Sequence, residues 1–577
     1  MAIIEGGTVT FRCSGTITVS NTIVISTNVV LDGTGQNNSI SGGNGVRIFT
    51  VNPGISFAVR NLTLTGGANI GAGGTNGTAG GSASGGVIFN NGGTVTLVNC
   101  QVTGNSASGG IGGDGVVEVG GEGGHGGNGG SASGGAIFNT GGALLLTNCV
   151  FSGNSASGGN GGNGMDAFGI GNGTRGGNGG NGGVARGGSI FNTGNGSVVG
   201  YDCTFSSNSV SGADSGLGGK GTGLGADGAN GVPGSTFGGG ICNENGTVTI
   251  LFSTFNGNTA IGGPGGDALG GTFSGTGGAG TAGGNATGGG IYVQSGILAI
   301  TNSTIYGNMA TGGNGGIGGN GGTQGFGGSG GNGGAGGSAS GGGVGNAVGG
   351  TVTAVNCTFA LNNALGGIGG AGGTSGGIAG DPGQTGATGG SRGGGIANDG
   401  GPLTFTLMNS IVAYSGIGGE GSGVITDGGN NISFSGYGAS IPLTAPTSFT
   451  NRNPYLAPLD NNGGPTLTTA IFDTTSVALN AGNDAACLPT DQRHVVRSGR
   501  CDIGAFELES VALAIARQTN NVVLSWATGF TGYLLEYTPG LPPIVWKTVT
   551  NPVVVVGANF VVTNNADESS RFYRLSR

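Results

Sequence analysis

The residues able to carry out catalysis are few in this sequence and are spread widely along it. The two histidines are His125 and His494, and neither has a nucleophile and an acid arranged around it. Asp202, Glu244 and Asp399 are the carboxylates of the repeated apolar segments, with no basic partner at matched positions. We therefore predict that the chain is not an enzyme, with no catalytic residue and no cofactor.

Four cysteines recur at one equivalent position of a repeat, at Cys100, Cys149, Cys203 and Cys357. Other copies of the repeat carry serine at this position, which indicates a small inward site. Free cysteine behaves as a small buried hydrophobe. We therefore interpret these residues as buried thiols rather than metal ligands.

Cys487 and Cys501 differ from the others because they flank a polar loop, "CLPTDQRHVVRSGRC". This arrangement predicts a disulfide. Disulfides persist in oxidising compartments, so the pair also favours an extracellular location.

Two stretches, 109–117 and 262–270, match the nonapeptide GGxGxDxUx of calcium-binding β-rolls. Such sites need consecutive nonapeptides, because adjacent turns share the ion. These two stretches lie far apart in a glycine-rich chain that produces such matches by chance. We predict no metal site.

Asparagine recurs in three registers that mark the corners of the repeat. Asn tolerates left-handed backbone angles and bonds to nearby backbone, and stacked Asn side chains can form amide ladders. The first row is Asn90, Asn139, Asn192, Asn243, Asn346 and Asn398, interrupted at Val293; the second is Asn99, Asn148, Asn302, Asn356 and Asn409, with Asp202 and Phe252 as exceptions; the third is Asn105, Asn154, Asn208, Asn258, Asn308 and Asn362.

These positions belong to an apolar segment of about 21 residues, such as "GGAIFNTGGALLLTNCVFSGN" (134–154), that returns about every fifty residues. Each copy contains three short apolar runs with alternation typical of strands and no helical period. A single coil cannot bury its apolar face alone, whereas stacked coils share one core. The pattern predicts an all-β parallel β-helix, with another solenoid or a propeller as the alternative.

Glycine-rich inserts leave each coil after the third asparagine and return before the next first strand. Their register is close to Gly-Gly-X, which suits an extended threefold helix rising about 3.1 Å per residue. Only glycine permits such helices to approach closely, so we predict a stacked polyglycine II layer; floppy loops are the alternative. The inserts are 66–86, 108–135, 157–188, 211–240, 261–290, 311–343 and 365–395.

Composition excludes several classes of protein. The chain has 150 glycines but only 15 prolines, too few for collagen. The net charge of −9 and the absence of a Lys/Arg run disfavour nucleic acid as a partner. No stretch of about 18 apolar residues is present, so we predict no membrane span.

The segment "NPYLAPLDNNGGPTLTTAI" and the later "CDIGAFE" closely resemble the end of bacterial proteins with a choice-of-anchor Q domain, and the N-terminal "GGTVTFRCSGTITVSNTIVI" resembles their start. The resemblance implies a right-handed parallel β-helix that is secreted and attached to the cell surface. The long glycine inserts depart from that family, and resemble the polyglycine bundles of snow-flea antifreeze protein and of some phage tail adhesins.

We predict four regions: N-terminal strands and first coils (1–65), coils with seven glycine-rich inserts (66–430), a choice-of-anchor Q-like part (431–507) and a fibronectin-like β-sandwich (508–577). In the last region Trp526, Trp546 and Phe572 are expected in the core rather than on a sugar-stacking platform.

The expected function is that of an extracellular, cell-surface structural or adhesive solenoid, a bacterial adhesin or a filament subunit that assembles head to tail. Its partners would be other copies of itself or a surface glycan. The alternatives are a glycan-binding or ice-binding surface protein and a polysaccharide-cleaving β-helix enzyme.

Overall fold

A computed structural model describes residues 5–168, 173–223, 225–272, 275–378, 380–436, 438–497, 499–508, 513–528, 533–540, 545–557, 559–566 and 571–576. The chain divides into two compact units, Met1–Glu507 and Leu508–Arg577. Residues 169–172, 224, 273–274 and 379 of the glycine-rich inserts lie outside the described part, as does Ser498 of the cysteine-flanked loop. No helix of the described residues is long and apolar enough to cross a membrane.

The first unit is a parallel β-helix, as the sequence predicts. Its 19-stranded sheet contains two stacks of strands, and equivalent residues of successive coils pair in register, for example Ile137 with Ile190. Two long strands, Ile291–Thr301 and Val344–Val355, belong to both stacks. The other strands of the first stack are Gly7–Thr10, Val29–Asp32, Ser56–Arg60, Thr94–Val98, Ala143–Thr147, Ser197–Tyr201, Gly246–Leu251, Phe405–Met408 and Thr426–Asp427, and those of the second are Ile23–Ile25, Phe49–Val51, Ile88–Asn91, Ile137–Thr140, Ile190–Thr193, Ile241–Asn243, Ile396–Asn398 and Gly421–Gly423.

A 12-stranded parallel sheet forms the other wall of the coil. Alternate residues of its strands point into the core, and Phe151, Phe205 and Phe255 stack there with ring centroids 5.0 and 4.5 Å apart. Its strands are Gly15–Thr18, Asn38–Ser41, Leu62–Thr65, Gln101–Thr103, Val150–Ser152, Thr204–Ser206, Thr254–Asn256, Thr304–Tyr306, Thr358–Ala360, Ile411–Ala413, Ile432–Phe434 and Phe449–Thr450.

Two seven-stranded parallel sheets join the coils to the inserts. Between them lies a second small core made of alanines such as Ala107, Ala156 and Ala260 with Val210. The strands that lead out are Ala68–Ile70, Ser106–Ser108, Ser155–Ser157, Ser209–Ser211, Thr259–Ile261, Met309–Thr311 and Asn363–Leu365; those that lead back are Ala83–Ser84, Ala132–Ser133, Ala185–Arg186, Thr236–Phe237, Ala286–Thr287, Ala339–Ser340 and Ser391–Arg392.

Beyond these sheets the inserts form the predicted polyglycine II layer, in which an outgoing and a returning segment of each insert lie in two rows. Within the outgoing row, Gly161 N–H donates to the Asp214 carbonyl oxygen at 3.0 Å. Gly180 N–H, on a returning segment, donates to the outgoing Gly162 carbonyl oxygen at 2.8 Å. Backbone groups are thus satisfied between segments, as buried amides require.

Steric contact explains why these positions are glycine. A Cβ atom built on Gly180 would lie 1.9 Å from the Gly127 carbonyl oxygen, and one on Gly162 would lie 2.1 Å from the Gly113 carbonyl oxygen. Where both glycines of a Gly-Gly-X triplet are present, only the outward third position accommodates a side chain.

Residues 451–507 run back along the outer side of the 12-stranded sheet; we call 466–507 the cover segment. They include the antiparallel strands Leu456–Asp460 and Thr468–Ile471 and the disulfide between Cys487 and Cys501. Gln492 attaches the cover segment to the sheet, since its Nε2 donates to Thr254 Oγ1 at 3.0 Å.

The second unit contains one four-stranded and one three-stranded antiparallel sheet. Trp526 lies in its small core. Trp546 is half-buried beneath the Arg574 guanidinium, and Phe572 is exposed, so the expectation that all three aromatic residues are buried is wrong. The strands are Ala514–Gln518, Asn521–Ala527, Asn559–Asn565 and Val554–Val556, then Lys547–Thr548, Leu534–Thr538 and Phe572–Ser576.

Candidate binding cleft in the polyglycine layer

The Gly-Gly-X register fails in the returning segment of the insert 211–240. There the chain reads Asp-Gly-Ala-Asn-Gly-Val-Pro-Gly (227–234), with a single glycine in each triplet. The remaining glycines face the preceding insert, because a Cβ on Gly231 would lie 2.0 Å from the Gly180 carbonyl oxygen. Asp227, Asn230 and Pro233 occupy the side that faces the following insert.

This loss of one glycine per triplet divides the layer into two blocks, the inserts up to 211–240 and the inserts from 261–290 onward. At its base, the insert still bonds to the next one through Gly212 N–H to the Ile261 carbonyl oxygen (2.8 Å) and Gly263 N–H to the Gly234 carbonyl oxygen (2.9 Å). Farther out, no backbone–backbone hydrogen bond joins the described parts of the two inserts.

Asn230 connects the blocks instead. Its Oδ1 accepts the Gly218 N–H at 2.8 Å, and its Nδ2 donates to the carbonyl oxygens of Gly266 (3.1 Å) and Asp267 (2.8 Å). An asparagine side chain between two segments spans a greater distance than a direct backbone N–H to carbonyl hydrogen bond. The outgoing segments are therefore held farther apart here.

A cleft of about 760 Å³ opens on the outgoing face where the blocks separate. We call it the insert cleft. Its lining combines carboxylates, amides, one hydroxyl and aliphatic groups: Ile111, Asp114, Asn160, Gly161, Asn163, Asp214, Ser215, Leu217, Pro264, Gly265, Gly266, Asp267, Gly315 and Ile317.

Neighbouring backbone fixes most of the polar side chains of the insert cleft. The Oδ1 atoms of Asp114 and Asn163 accept the N–H groups of Asn163 (2.7 Å) and Leu217 (2.8 Å). Asp267 Oδ1 accepts the Ile317 N–H at 2.7 Å. The second polar atom of each side chain remains available, so the cleft presents donors and acceptors at fixed places.

Asp214 is the exception in this pattern. The equivalent position of the following insert is Pro264, which has no N–H to donate. No described residue donates a hydrogen bond to the Asp214 carboxylate. The buried Ser215 hydroxyl, in a residue only 8% exposed, also lacks a partner among the described residues. Both groups are therefore free for a ligand.

The three predicted asparagine rows differ in the structure. In the third row each member bonds to the next, as Asn154 does when its N–H and Nδ2 donate to Asn208 Oδ1 at 3.1 and 2.9 Å. In the first row Asn90 Nδ2 donates to Asn139 Oδ1 at 2.7 Å, and the same bond recurs between Asn139 and Asn192, between Asn192 and Asn243, and, beyond Val293, between Asn346 and Asn398.

The second row is not a continuous ladder. Asn148 Nδ2 donates to Asn99 Oδ1 at 2.9 Å, but Asn302 Nδ2 donates to the Thr490 carbonyl oxygen and Asn409 Nδ2 to the Asn483 carbonyl oxygen. Asn356 Nδ2 reaches Cys487 Sγ at 3.2 Å. The later asparagines therefore anchor the cover segment rather than one another.

The three carboxylates of the coils have basic partners, contrary to the sequence interpretation. His494 of the cover segment lies 2.8 Å from Asp202 Oδ1, and burial raises the pKa of Asp202 while the His494 hydrogen bond opposes this. Two arginines reach the other carboxylates: Arg186 approaches Glu244 at 4.0 Å and Arg392 approaches Asp399 at 3.9 Å. These partners lie on neighbouring strands or on a distant segment, which spacing along the repeat does not reveal.

The equivalent cysteines Cys100, Cys149, Cys203 and Cys357 are all buried. Burial raises the pKa of the Cys357 thiol to about 12, so it stays protonated. Among the described residues no group of His, Cys, Asp and Glu is arranged to hold a metal ion. Asp114 and Asp267, the aspartates of the two calcium-like nonapeptides, both line the insert cleft.

Sequence reasoning missed the insert cleft. The signal that could have located it is the change from two glycines to one in each triplet of 227–234, together with Pro264 at an outward position. Asn230 and Ser215 lie at positions that the register reserves for glycine.

Known proteins offer few matches. No family profile and no curated protein matches the chain. Among solved structures, it is similar to a tailspike protein mutant of E. coli bacteriophage HK620 in complex with pentasaccharide, at 9% identity, TM-score 0.22, and 99% coverage of this chain and 86% of that chain. It is also similar to the tailspike protein of the same bacteriophage in complex with pentasaccharide, at 10% identity, TM-score 0.17 and the same coverage.

These neighbours correct one prediction. The sequence, which lacks a clustered catalytic motif, led us to expect that the chain is not an enzyme. That expectation is contradicted, because the solved structures similar to the chain are tailspikes, several of them bound to saccharides.

Proposed function

We propose that this protein is an extracellular β-solenoid that binds a neutral polysaccharide in the insert cleft. The observation that carries the proposal is the insert cleft itself, where the polyglycine layer separates and leaves the Asp214 carboxylate and the Ser215 hydroxyl free. Hydroxyl groups of a sugar both donate and accept hydrogen bonds, and the cleft supplies acceptors and amide donors at fixed positions.

Charge and apolar surface define the class of glycan. The lining contains three carboxylates, Asp114, Asp214 and Asp267, and no basic side chain, so an anionic polysaccharide would be repelled. Leu217 and Pro264 provide aliphatic surface for the C–H face of a sugar ring. Because the backbone holds the polar groups in place, binding orders few side chains, which lowers its entropic cost.

The proposed location is the bacterial cell surface. The resemblance of residues 431–507 to choice-of-anchor Q proteins supports display at the surface, and the Cys487–Cys501 disulfide supports an oxidising environment.

The test is affinity electrophoresis and calorimetry with neutral polysaccharides such as mannan, dextran and β-glucan. Asp214→Asn should weaken binding about tenfold or more, because one acceptor oxygen becomes a donor. The matched control is Asp166→Asn: Asp166 is an exposed aspartate of the same face whose Oδ1 accepts the Lys220 N–H, and it lies outside the insert cleft. Equal affinity of both variants and wild type for every polysaccharide would refute the proposal.

Cleavage of the bound polysaccharide is the second candidate function. Glycoside hydrolysis uses pairs of carboxylates, and the insert cleft contains three. Reducing ends released from each polysaccharide that binds should therefore be measured over hours with wild type, Asp214→Asn and Asp267→Asn. Release that either variant abolishes assigns the cleavage to the insert cleft.

A further inference from the structure

The outer side of the 12-stranded sheet carries a column of side chains that is polar from Ser39 to Thr304 except at Val150, and only part of this column is covered. In register along this column, Ser39 pairs with Thr63 and Thr63 with Gln101; farther on, Thr254 pairs with Thr304. The cover segment lies over Thr254 and Thr304, and none of its described residues forms a hydrogen bond with Ser39, Thr63 or Gln101.

The covered part shows how this column recognises an amide. The Gln492 carboxamide is fully buried between two hydroxyls of successive coils. Its Nε2 donates to Thr254 Oγ1 at 3.0 Å, and its Oε1 accepts from Thr304 Oγ1 at 2.7 Å. Stacked hydroxyls about 4.8 Å apart thus bind the two ends of one amide.

The uncovered part repeats this pair of hydroxyls. Ser39 and Thr63 are half-buried outward residues of adjacent coils. They belong to a pocket of about 410 Å³, which we call the amide pocket, lined by Gln36, Asn37, Asn38, Ser39, Asn61, Leu62, Thr63, Asn99 and Gln101.

The lining also defines the chemistry of the ligand. None of the lining residues is charged. Asn38 and Leu62 lie on the core face of their strands, and five other lining residues carry carboxamides: Gln36, Asn37, Asn61, Asn99 and Gln101. We infer that the amide pocket binds N-acetylhexosamine units of a glycan. The acetamido group takes the place between Ser39 and Thr63 that the Gln492 carboxamide takes between Thr254 and Thr304.

This site is separate from the insert cleft, and it does not depend on the function proposed there. An extended peptide is the other amide-bearing ligand, but a pocket of this volume fits one or two sugar rings rather than a long chain. The two ligand classes are separated by the test.

The test is calorimetry with chitotriose, the trimer of N-acetylglucosamine, and with cellotriose, which lacks the acetamido groups. We expect chitotriose to bind at least tenfold more tightly than cellotriose. Thr63→Val, which keeps the shape and removes one hydroxyl, should weaken chitotriose binding about tenfold. The matched control Thr96→Val changes an outward threonine of the other wall and should have no effect. All of these measurements use the Asp214→Asn background, in which saccharide binding at the insert cleft is weakened.

Three outcomes would overturn the inference: equal affinity for chitotriose and cellotriose, undiminished chitotriose binding by Thr63→Val, or binding only of a synthetic peptide with the sequence of residues 488–497. Thermal unfolding of Thr63→Val within about 1 °C of wild type shows that a loss of binding is local.

Discussion

Asn230 Nδ2 donates a hydrogen bond to the carbonyl oxygen of Gly266 at 3.1 Å, and so joins the two blocks of the polyglycine layer. Other neighbouring inserts, in the parts that the structure describes, are joined along their length by backbone–backbone hydrogen bonds, to which outward side chains such as Asn163 add. Here the backbone bonds are confined to the base, the Asn230 side chain bridges the gap farther out, and the insert cleft lies beside it.

Asn230→Ala should loosen the edge of the insert cleft. Gly218 N–H and the carbonyl oxygens of Gly266 and Asp267 would lose their partner, at a local cost of about 1–3 kcal/mol. Trypsin should then cut faster after the exposed Lys220, while cutting after Arg175 serves as the internal control. The control variant is Asn332→Ala, which removes an outward amide bound to Gln384 N–H. Equal cleavage at Lys220 in wild type and Asn230→Ala would contradict the bridge.

Gly162→Ala should disrupt the layer, because its Cβ would lie 2.1 Å from the Gly113 carbonyl oxygen and overpacking costs about 1–3 kcal/mol or more. The matched substitution is Ala229→Ser at an outward position of the layer, where added atoms reach solvent. Calorimetric unfolding should show a lower Tm for the first variant only. A Tm unchanged by Gly162→Ala would mean that neighbouring inserts are not in backbone contact.

Asn208→Ala should destabilise the solenoid strongly. Asn208 is fully buried; its Oδ1 accepts from Asn154, and its Nδ2 donates to the Phe151 carbonyl oxygen at 3.0 Å. Its loss leaves buried groups unpaired, and we expect about 3 kcal/mol less free energy of unfolding in urea titrations. Asn148→Gly, in the exposed part of the second row with φ 49°, should cost under about 1 kcal/mol. Similar losses for the two variants would refute the ladder as a stabilising element.

Glu420 should make stability depend on pH. Burial raises its pKa to about 8, above the ordinary value of about 4.3 for the unfolded chain. Between these values the folded state holds a proton that the unfolded state has lost, so stability falls as pH rises from about 4.5 to 8 and then levels.

Glu420→Gln keeps the shape and removes the charge, so its free energy of unfolding should fall less than that of wild type between pH 5 and 8. The two proteins should be nearly equal at pH 4.5, which is the control. Parallel pH profiles for wild type and variant would contradict a raised pKa.

Periodicity explains why the fold could be read from the sequence. In segments such as 134–154, inward apolar and outward polar residues alternate because every coil has the same strands. Glycine recurs where two inserts contact each other because a Cβ atom would not fit there. The cover segment could not be placed this way, because Gln492 contacts Thr254 across more than two hundred residues and Gln492 itself lies outside the repeat.

The binding sites escaped sequence reasoning for a related reason. The insert cleft lies where the Gly-Gly-X repeat is broken, at Asn230 and Pro264. The amide pocket lies beside Thr63, on a part of the 12-stranded sheet that the cover segment leaves exposed. The expectation that the coil carboxylates lack basic partners was wrong for a related reason, because His494, the partner of Asp202, belongs to the cover segment and not to the repeat.

Hydrogen exchange of the inserts tests the central claim most directly. Amides of 158–164, 176–183, 312–319 and 330–337 that are bonded between segments should exchange at least about a hundredfold more slowly than in an unstructured peptide. Exchange at free-peptide rates in these four stretches, with the coils still protected, would contradict the account.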